Sequence, residues 1–307
     1  MPDTERNAPA KAILTLSDGA RIAIRRWGAP KAKRMVISHG NGLAIDGFRA
    51  FGEALRGDYE VIAFDMRNHG DSGPGEVLTD PWPRFLQDIP EIFDGIQAVF
   101  GQKPTHGAFH SLSSASTLMA QGQDPRPWQS LTLYEPPVPP APDADLLERF
   151  TAMHLELAQR TRSRRRVFET PARLTASFRK SPSFGGIEDQ ALGQMAQAVM
   201  HHTGADPDSP WELVCDPRME ANTYDTRDVG KYWDGLASVD CPVQVVMGSV
   251  LGHDLPLLIQ STTLLVRCFG FDAATVEGGS HLMQLQRPMR SAELAVAFAN
   301  KMTGVSA

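Results

Sequence analysis

The chain has 307 residues, enough for one large α/β unit, and its 30 basic and 36 acidic residues leave a formal charge of −6. That balance offers no electrostatic footprint for nucleic acid or for an anionic membrane surface. A content of 42% hydrophobic and 21% charged residues is that of a folded globular protein and excludes a disordered one.

Met1 to Lys11 is polar, carries two prolines and reads as neither a signal nor a transit peptide. Ala12 to Leu16 and Arg21 to Trp27 are β-like runs joined by Ser17-Asp18-Gly19-Ala20, and Asp-Gly between such runs signals a hairpin. The apolar run Met35 to Ser38 ends in His39-Gly40-Asn41-Gly42, and Phe48, Phe51 and Leu55 follow at helical spacing. Val61 to Phe64 is the next strand, closed by the turn-rich segment Asp65 to Gly73. Phe85, Ile89, Ile92, Phe93, Ile96 and Val99 recur with helical period over Arg84 to Phe100. A strand before Ser111, a helix over Ser111 to Gln121 and a strand over Leu131 to Tyr134 continue the alternation. Short apolar strands alternating with amphipathic helices imply a mostly parallel sheet covered on both faces.

Pro136, Pro137, Pro139, Pro140 and Pro142 break that rhythm, and a polar, helix-favouring region runs to about Leu236. Within it, Arg160 to Arg166 holds five arginines in seven residues and reads as a solvated helix face. The βα rhythm resumes at Val243 to Met247, with a helix near Leu255 to Val266, a strand near Ala273 to Val276 and a last helix over Pro288 to Met302. No stretch has the apolar length of a membrane span. Cys215, Cys241 and Cys268 are too few and too far apart for a disulfide framework or a structural zinc site, which fits a reducing, cytoplasmic setting.

Chemistry concentrates at Phe109-His110-Ser111-Leu112-Ser113, between a strand and a helix. A serine hydroxyl is a poor nucleophile until a base removes its proton, and a sharp strand-turn-helix holds it exposed. The same turn leaves the Leu112 N–H unpaired at a helix N-terminus, where the dipole favours a developing negative charge.

Four segments then stand in a telling order: Ile37-Ser38-His39-Gly40-Asn41-Gly42, Phe64 to Gly73, His110-Ser111-Leu112 and Gly278-Gly279-Ser280-His281. Over nearly its whole length the chain resembles the α/β-hydrolase superfamily. The resemblance implies an α/β-hydrolase fold, with residues 1–136 and 237–307 as the core and 137–236 as a helical cap. It implies Ser111 as nucleophile and His281 as base, with the N–H groups of Asn41 and Leu112 forming an oxyanion hole. The elbow departs from Gly-x-Ser-x-Gly, since Phe109 and Ser113 flank Ser111. A shifted register would make Ser113 the nucleophile, but His110-Ser111-Leu112 matches the family better. Phe109 and His110 are candidates to line the pocket.

The acid is the harder assignment. The family usually places an aspartate after the strand that here is Val243 to Met247, where this chain has Leu251. A minority carry the acid after the preceding strand, which puts Glu135 in that place, and Asp254 is the alternative. Adjacent parallel strands end on one rim, so the longer glutamate can reach the same imidazole. The acid would fix the tautomer of His281 and stabilise its imidazolium.

Other signals fall away. Gly40-Asn41-Gly42 lacks the third glycine of a dinucleotide turn, no phosphate-binding lysine loop occurs, and His201-His202 lacks metal-ligand spacing. Neither a cofactor nor a metal is expected. Met195, Met200 and Met219 read as helix packing. The expected activity is hydrolysis of a carboxylic ester, thioester or lactone with an apolar portion, through an acyl-enzyme. A carbon–carbon bond hydrolase with the same triad and a non-catalytic ligand-binding member of the fold are the alternatives. Oligomeric state is not legible.

Overall fold

Strands that are apolar on every residue need cover on both faces, and the inner strands of this chain receive it. The computed structural model describes residues 10–249 and 253–304; most of the polar stretch Met1 to Lys11, and Leu251, lie outside the described residues. The central sheet holds β1 (Ala10–Thr15), β2 (Arg21–Trp27), β3 (Arg34–Ser38), β4 (Glu60–Phe64), β5 (Thr105–His110), β6 (Trp128–Tyr134), β10 (Val243–Gly248) and β11 (Asp272–Val276). Their order is β1-β2-β4-β3-β5-β6-β10-β11. The β1–β2 hairpin and the β2–β4 pair are antiparallel, and every other pair is parallel.

Period-two alternation sorts the core into two layers. Val36, Ile62, Phe64, Phe109, Leu131 and Leu133 face one layer, with α2 (Trp82–Phe100), α3 (Leu112–Gln121) and α8 (Pro256–Phe269). Met35, Ile37, Val61, Ala63, Ala108 and Tyr134 face the other, with α1 (Arg49–Leu55), α9 (Met283–Gln286) and α10 (Pro288–Met302). Each fully buried large side chain contributes about 1.5–3 kcal/mol, so two such layers dominate the stability of the fold. Among the described residues no helix is long and apolar enough to cross a membrane.

The segment between β6 and β10 is less uniformly helical than its composition suggests. It contains α4 (Ala144–Arg162), α5 (Pro171–Phe178), α6 (Asp189–Ala198) and α7 (Pro217–Thr223). It also contains a separate antiparallel sheet of β7 (Val167–Phe168), β8 (Met200–His202) and β9 (Trp211–Leu213), in the order β7-β9-β8. Strands of two or three residues are too short for alternation to register in a sequence. Met195 and Met219 are fully buried, and Met195 packs so closely on Gly47 that a Cβ there would lie 2.3 Å from its Cε.

One buried carboxylate anchors the loops at the C-terminal rim. Asp65 follows β4 and accepts from the Ile45 N–H at 2.8 Å, the Asp71 N–H at 3.1 Å and Arg25 Nη1 at 2.6 Å. Burial alone would raise this carboxyl, but the His39 ring beside it, the Arg25 charge and the Ile45 N–H outweigh it and hold it well below the usual carboxylate range. Gly70, at φ +48°, lies against it, and a Cβ there would meet Asp65 Oδ1 at 2.2 Å. Because the folded carboxyl ionises more readily than the unfolded one, its stabilisation is present at neutral pH and is lost as acid protonates it. Asp65→Ala should lower the urea-measured unfolding free energy at neutral pH by about 3 kcal/mol, since Arg25 loses its one fully buried partner and keeps only the more exposed Asp46 and Asp71. The gap from the parent should narrow below about pH 4, and a loss under about 1 kcal/mol would show that the loops do not depend on this residue.

Candidate active site

β5 carries His110 to the rim and the chain turns sharply at Ser111, whose φ is +49° and ψ −111°. A non-glycine residue in that region stores about 1–3 kcal/mol of strain and persists only when its surroundings over-determine it. Here the Ser111 N–H donates to Tyr134 O at 2.9 Å, and the Ser113 hydroxyl is tied to the main chain of His110, at 3.1 Å from its N and 3.0 Å from its O. Ser113, the serine of the shifted register, is fully buried and its hydroxyl is committed to the strand end.

His281 lies in the turn after β11. Its Nε2 is 3.0 Å from Ser111 Oγ and its Nδ1 is 2.7 Å from Glu135 Oε2. The Nδ1–H donates to the carboxylate, which leaves Nε2 bare to accept the serine proton. Three side chains 24 to 170 positions apart in sequence thus meet in one hydrogen-bonded line.

Glu135 follows β6 with φ at +43°, and its side chain has no exposed surface. Its N–H donates to Val246 O at 3.0 Å, which ties it to the neighbouring β10. The second carboxylate oxygen, Oε1, accepts from the Gly248 N–H at 2.8 Å and from His253 Nε2 at 2.8 Å. Burial pushes this carboxyl up, but the hydrogen bonds and charges of His253 and His281 more than reverse it and bring it down to about 2. Asp254 is placed differently: Oδ1 is 3.5 Å from the His281 main-chain N and makes no contact with the ring within hydrogen-bonding reach. It does not cap α8 either.

His253 is the residue that sequence reasoning missed. Only its place in the loop after β10, where the family's carboxylate usually stands, could have drawn attention to it.

Asn41 and Leu112, the residues expected from the sequence to supply an oxyanion hole, line the same cavity as Ser111. Among the described residues neither the Asn41 nor the Leu112 N–H has a hydrogen-bond partner. Gly40 lets the loop come close: a Cβ there would lie 2.8 Å from His110 Nδ1 and 3.0 Å from Ser111 Cβ. His39 is buried beside it, with Nδ1 2.8 Å from Gly40 O and Nε2 3.1 Å from Met66 N.

A cavity of about 380 Å³ opens over Ser111 and His281. Trp82, Met153, Leu157, Phe178, Phe184 and Leu258 supply apolar wall, and His110 lines it as expected from the sequence. Phe109 does not. It shares the β5 face of Gly107, opposite His110, and packs on Phe64 and Trp128 at ring separations of 6.1 and 5.5 Å. The arginine run is not simply solvated either: Arg160 and Arg164 line the cavity, and Arg164 Nη1 bonds the buried Glu220 at 2.9 Å. No group of three or more His, Cys, Asp or Glu among the described residues could hold a metal, and His201 and His202 sit apart on β8.

The model of the alpha/beta hydrolase family matches residues 35–294, most of the chain. A monoglyceride lipase of Mus musculus is 26% identical over 147 residues, covering 46% of this chain and 48% of the relative. Its Homo sapiens counterpart is 26% identical over 135 residues, covering 43% and 44%. The chain therefore spans about half the length of the curated relatives it matches. Among solved structures, E-2-(acetamidomethylene)succinate hydrolase is similar at a TM-score of 0.72 and 18% identity, covering 95% of this chain and 99% of that one. A peroxisomal alpha-beta-hydrolase of Saccharomyces cerevisiae is similar at a TM-score of 0.73 and 16% identity, covering 98% and 91%. At such identities the likeness establishes the fold.

His110 Nε2–H donates to His281 O at 2.8 Å, and burial, followed by the nearby His281, lowers its pKa to about 3. Its ring should therefore stay neutral, as the Nε2–H tautomer, in imidazole ¹⁵N spectra recorded from about pH 8 to about pH 5. A titration inside that window would contradict the packing described.

Proposed function

The chain belongs to the alpha/beta hydrolase family, and from that premise we propose that it is a serine hydrolase of carboxylic esters, thioesters or lactones with an apolar portion. The observation that carries this reading is the unbroken line from Ser111 Oγ through the His281 ring to Glu135 Oε2. Ser111 Oγ attacks the substrate carbonyl as its proton passes to His281 Nε2. Glu135, already ionised, holds the Nδ1–H tautomer and stabilises the imidazolium that forms. The carbonyl oxygen, now negative, sits between the Asn41 and Leu112 N–H groups, each worth about 3 kcal/mol in the transition state. Collapse of the tetrahedral intermediate expels the alcohol or thiol, which takes the proton from His281. Water, deprotonated by the same ring, then hydrolyses the acyl-serine and restores the hydroxyl.

Residues 137–236 act in this reading as the cap, and the apolar wall supports a substrate with a hydrophobic segment. The curated relatives are named as lipases of monoglycerides, which agrees with an acyl ester.

A fluorophosphonate probe should label the protein at Ser111, and Ser111→Ala should abolish both labelling and turnover of p-nitrophenyl acetate. Glu135→Gln keeps the shape but loses the charge, and should lower kcat by roughly 10³- to 10⁴-fold. Asp254→Asn should leave at least a tenth of the rate, about 1.4 kcal/mol of barrier at most. If Asp254→Asn removes activity while Glu135→Gln does not, the acid is misassigned. An unlabelled wild type with no turnover would favour a ligand-binding member of the fold.

A further inference from the structure

We infer that His253 is a positioning residue for the proposed reaction, holding one oxygen of Glu135 so that the other is fixed on His281. The inference rests on the serine-hydrolase reading, within which it assigns a role to a side chain outside the nucleophile, base and acid.

The geometry is specific. Glu135 Oε2 is taken by His281 Nδ1 at 2.7 Å, and Oε1 by His253 Nε2 and the Gly248 N–H, both at 2.8 Å. On its other edge, His253 Nδ1 accepts the Leu255 N–H at 2.9 Å. An imidazole that accepts at Nδ1 and faces a carboxylate at Nε2 is the Nε2–H tautomer, so His253 donates to Glu135 and has no bare nitrogen left for proton transfer. Its side chain has no exposed surface, whereas that of His281 is 15% exposed towards the cavity. Two histidines therefore share one carboxylate in different capacities: one faces the reacting atoms, the other is sealed behind the acid.

A glutamate has one more rotatable bond than an aspartate and here reaches from one strand farther away, so an unrestrained carboxylate would sample several orientations. The loop after β10 is the usual place of the family's acid, and in this chain it supplies a donor to an acid placed on β6 instead. Gly248 makes room for that donor, since a Cβ there would lie 3.1 Å from the His253 ring. Other ionisable groups face the cluster: His110 from β5, with its ring 4.8 Å from His281, His154 from α4, and Asp254, whose Oδ1 is 3.8 Å from His253 Nδ1.

The test is the pH profile of kcat/KM for p-nitrophenyl acetate with the full chain, His253→Ala and His253→Gln. With His253 gone, Oε1 keeps only the Gly248 N–H, more of the carboxylate charge falls on His281 and favours its protonated ring, and the acid limb should move up by about one pH unit. At neutral pH kcat should fall roughly ten-fold or more with KM little changed, as expected for a lost hydrogen bond to a charged group. His253→Gln, whose side-chain amide can still donate to Oε1, should recover most of both effects. A folded His253→Ala with an unmoved acid limb overturns the inference, as does a loss of rate that glutamine leaves unrepaired. Should the alanine variant fail to fold, the imidazole ¹⁵N spectrum of the unmutated protein decides: an Nδ1–H tautomer at His253 sinks the proposal, and a persistent Nε2–H with partial activity in His253→Gln sustains it. If the wild type neither turns over ester nor labels with fluorophosphonate, the serine-hydrolase reading has failed instead, a different outcome from an active enzyme indifferent to His253.

Discussion

A carboxylate withdrawn from water costs several kcal/mol unless its lone pairs are met by donors, and the rim of this sheet is organised around meeting that cost for Glu135. Two imidazoles and a backbone N–H converge on its two oxygens, and its own N–H reaches across to β10. The pairing of Leu133 with Val245 and Tyr134 with Val246 sets the height at which this happens. A one-residue slip of that register would turn the core faces of both strands outward, so the apolar layers and the carboxylate's surroundings are specified together.

Similar logic holds the rest of the rim. Phe109, wedged against Phe64 and Trp128, fastens the end of β5 on one face, while Ser113 and Tyr134 bind the main chain around Ser111. The strain at Ser111 is thus borne by packing from the core rather than by the loop. Asp65 plays the corresponding part for the loop from His39 to Phe48. At the far end of the strands, buried Arg34 is held by Glu60, Gln97 and the Phe100 carbonyl, away from the cavity. The buried Arg34–Glu60 and His281–Glu135 pairs thus sit at opposite ends of the strands.

Most of the architecture was legible because its signals are long or ordered. Helical periodicity over Arg84 to Phe100, short apolar strands at regular intervals, and four motifs in sequence define a fold without coordinates. Glu135 could be named because it directly follows an apolar strand on the same rim. His253 could not, since nothing in a lone loop histidine says that its ring turns inward to a carboxylate 118 positions earlier. The orientation of Phe109 was available from parity with Gly107 and His110 on one strand; the elbow's departure from glycine drew attention to bulk instead of direction. The small sheet of β7, β8 and β9 was invisible for the opposite reason, because so few residues carry no period. The arginine run shows the limit of composition: the same residue type serves a cavity wall at Arg160, a buried partner at Arg164 and a turn contact at Arg166.

Glu135 is followed at once by Pro136 and Pro137, where the chain leaves the sheet to build the segment that covers the cavity. Val138, just beyond, is pinned to α8 by the Ser261 hydroxyl at 2.6 Å. The residue whose carboxylate is held by three donors thus also stands where the chain leaves the sheet. A chimera that exchanges this segment for another can retune what the cavity admits only if its splice point lies beyond Val138. A cut made before Glu135 would carry its backbone twist away with the exchanged segment, and with it the placing of its carboxylate.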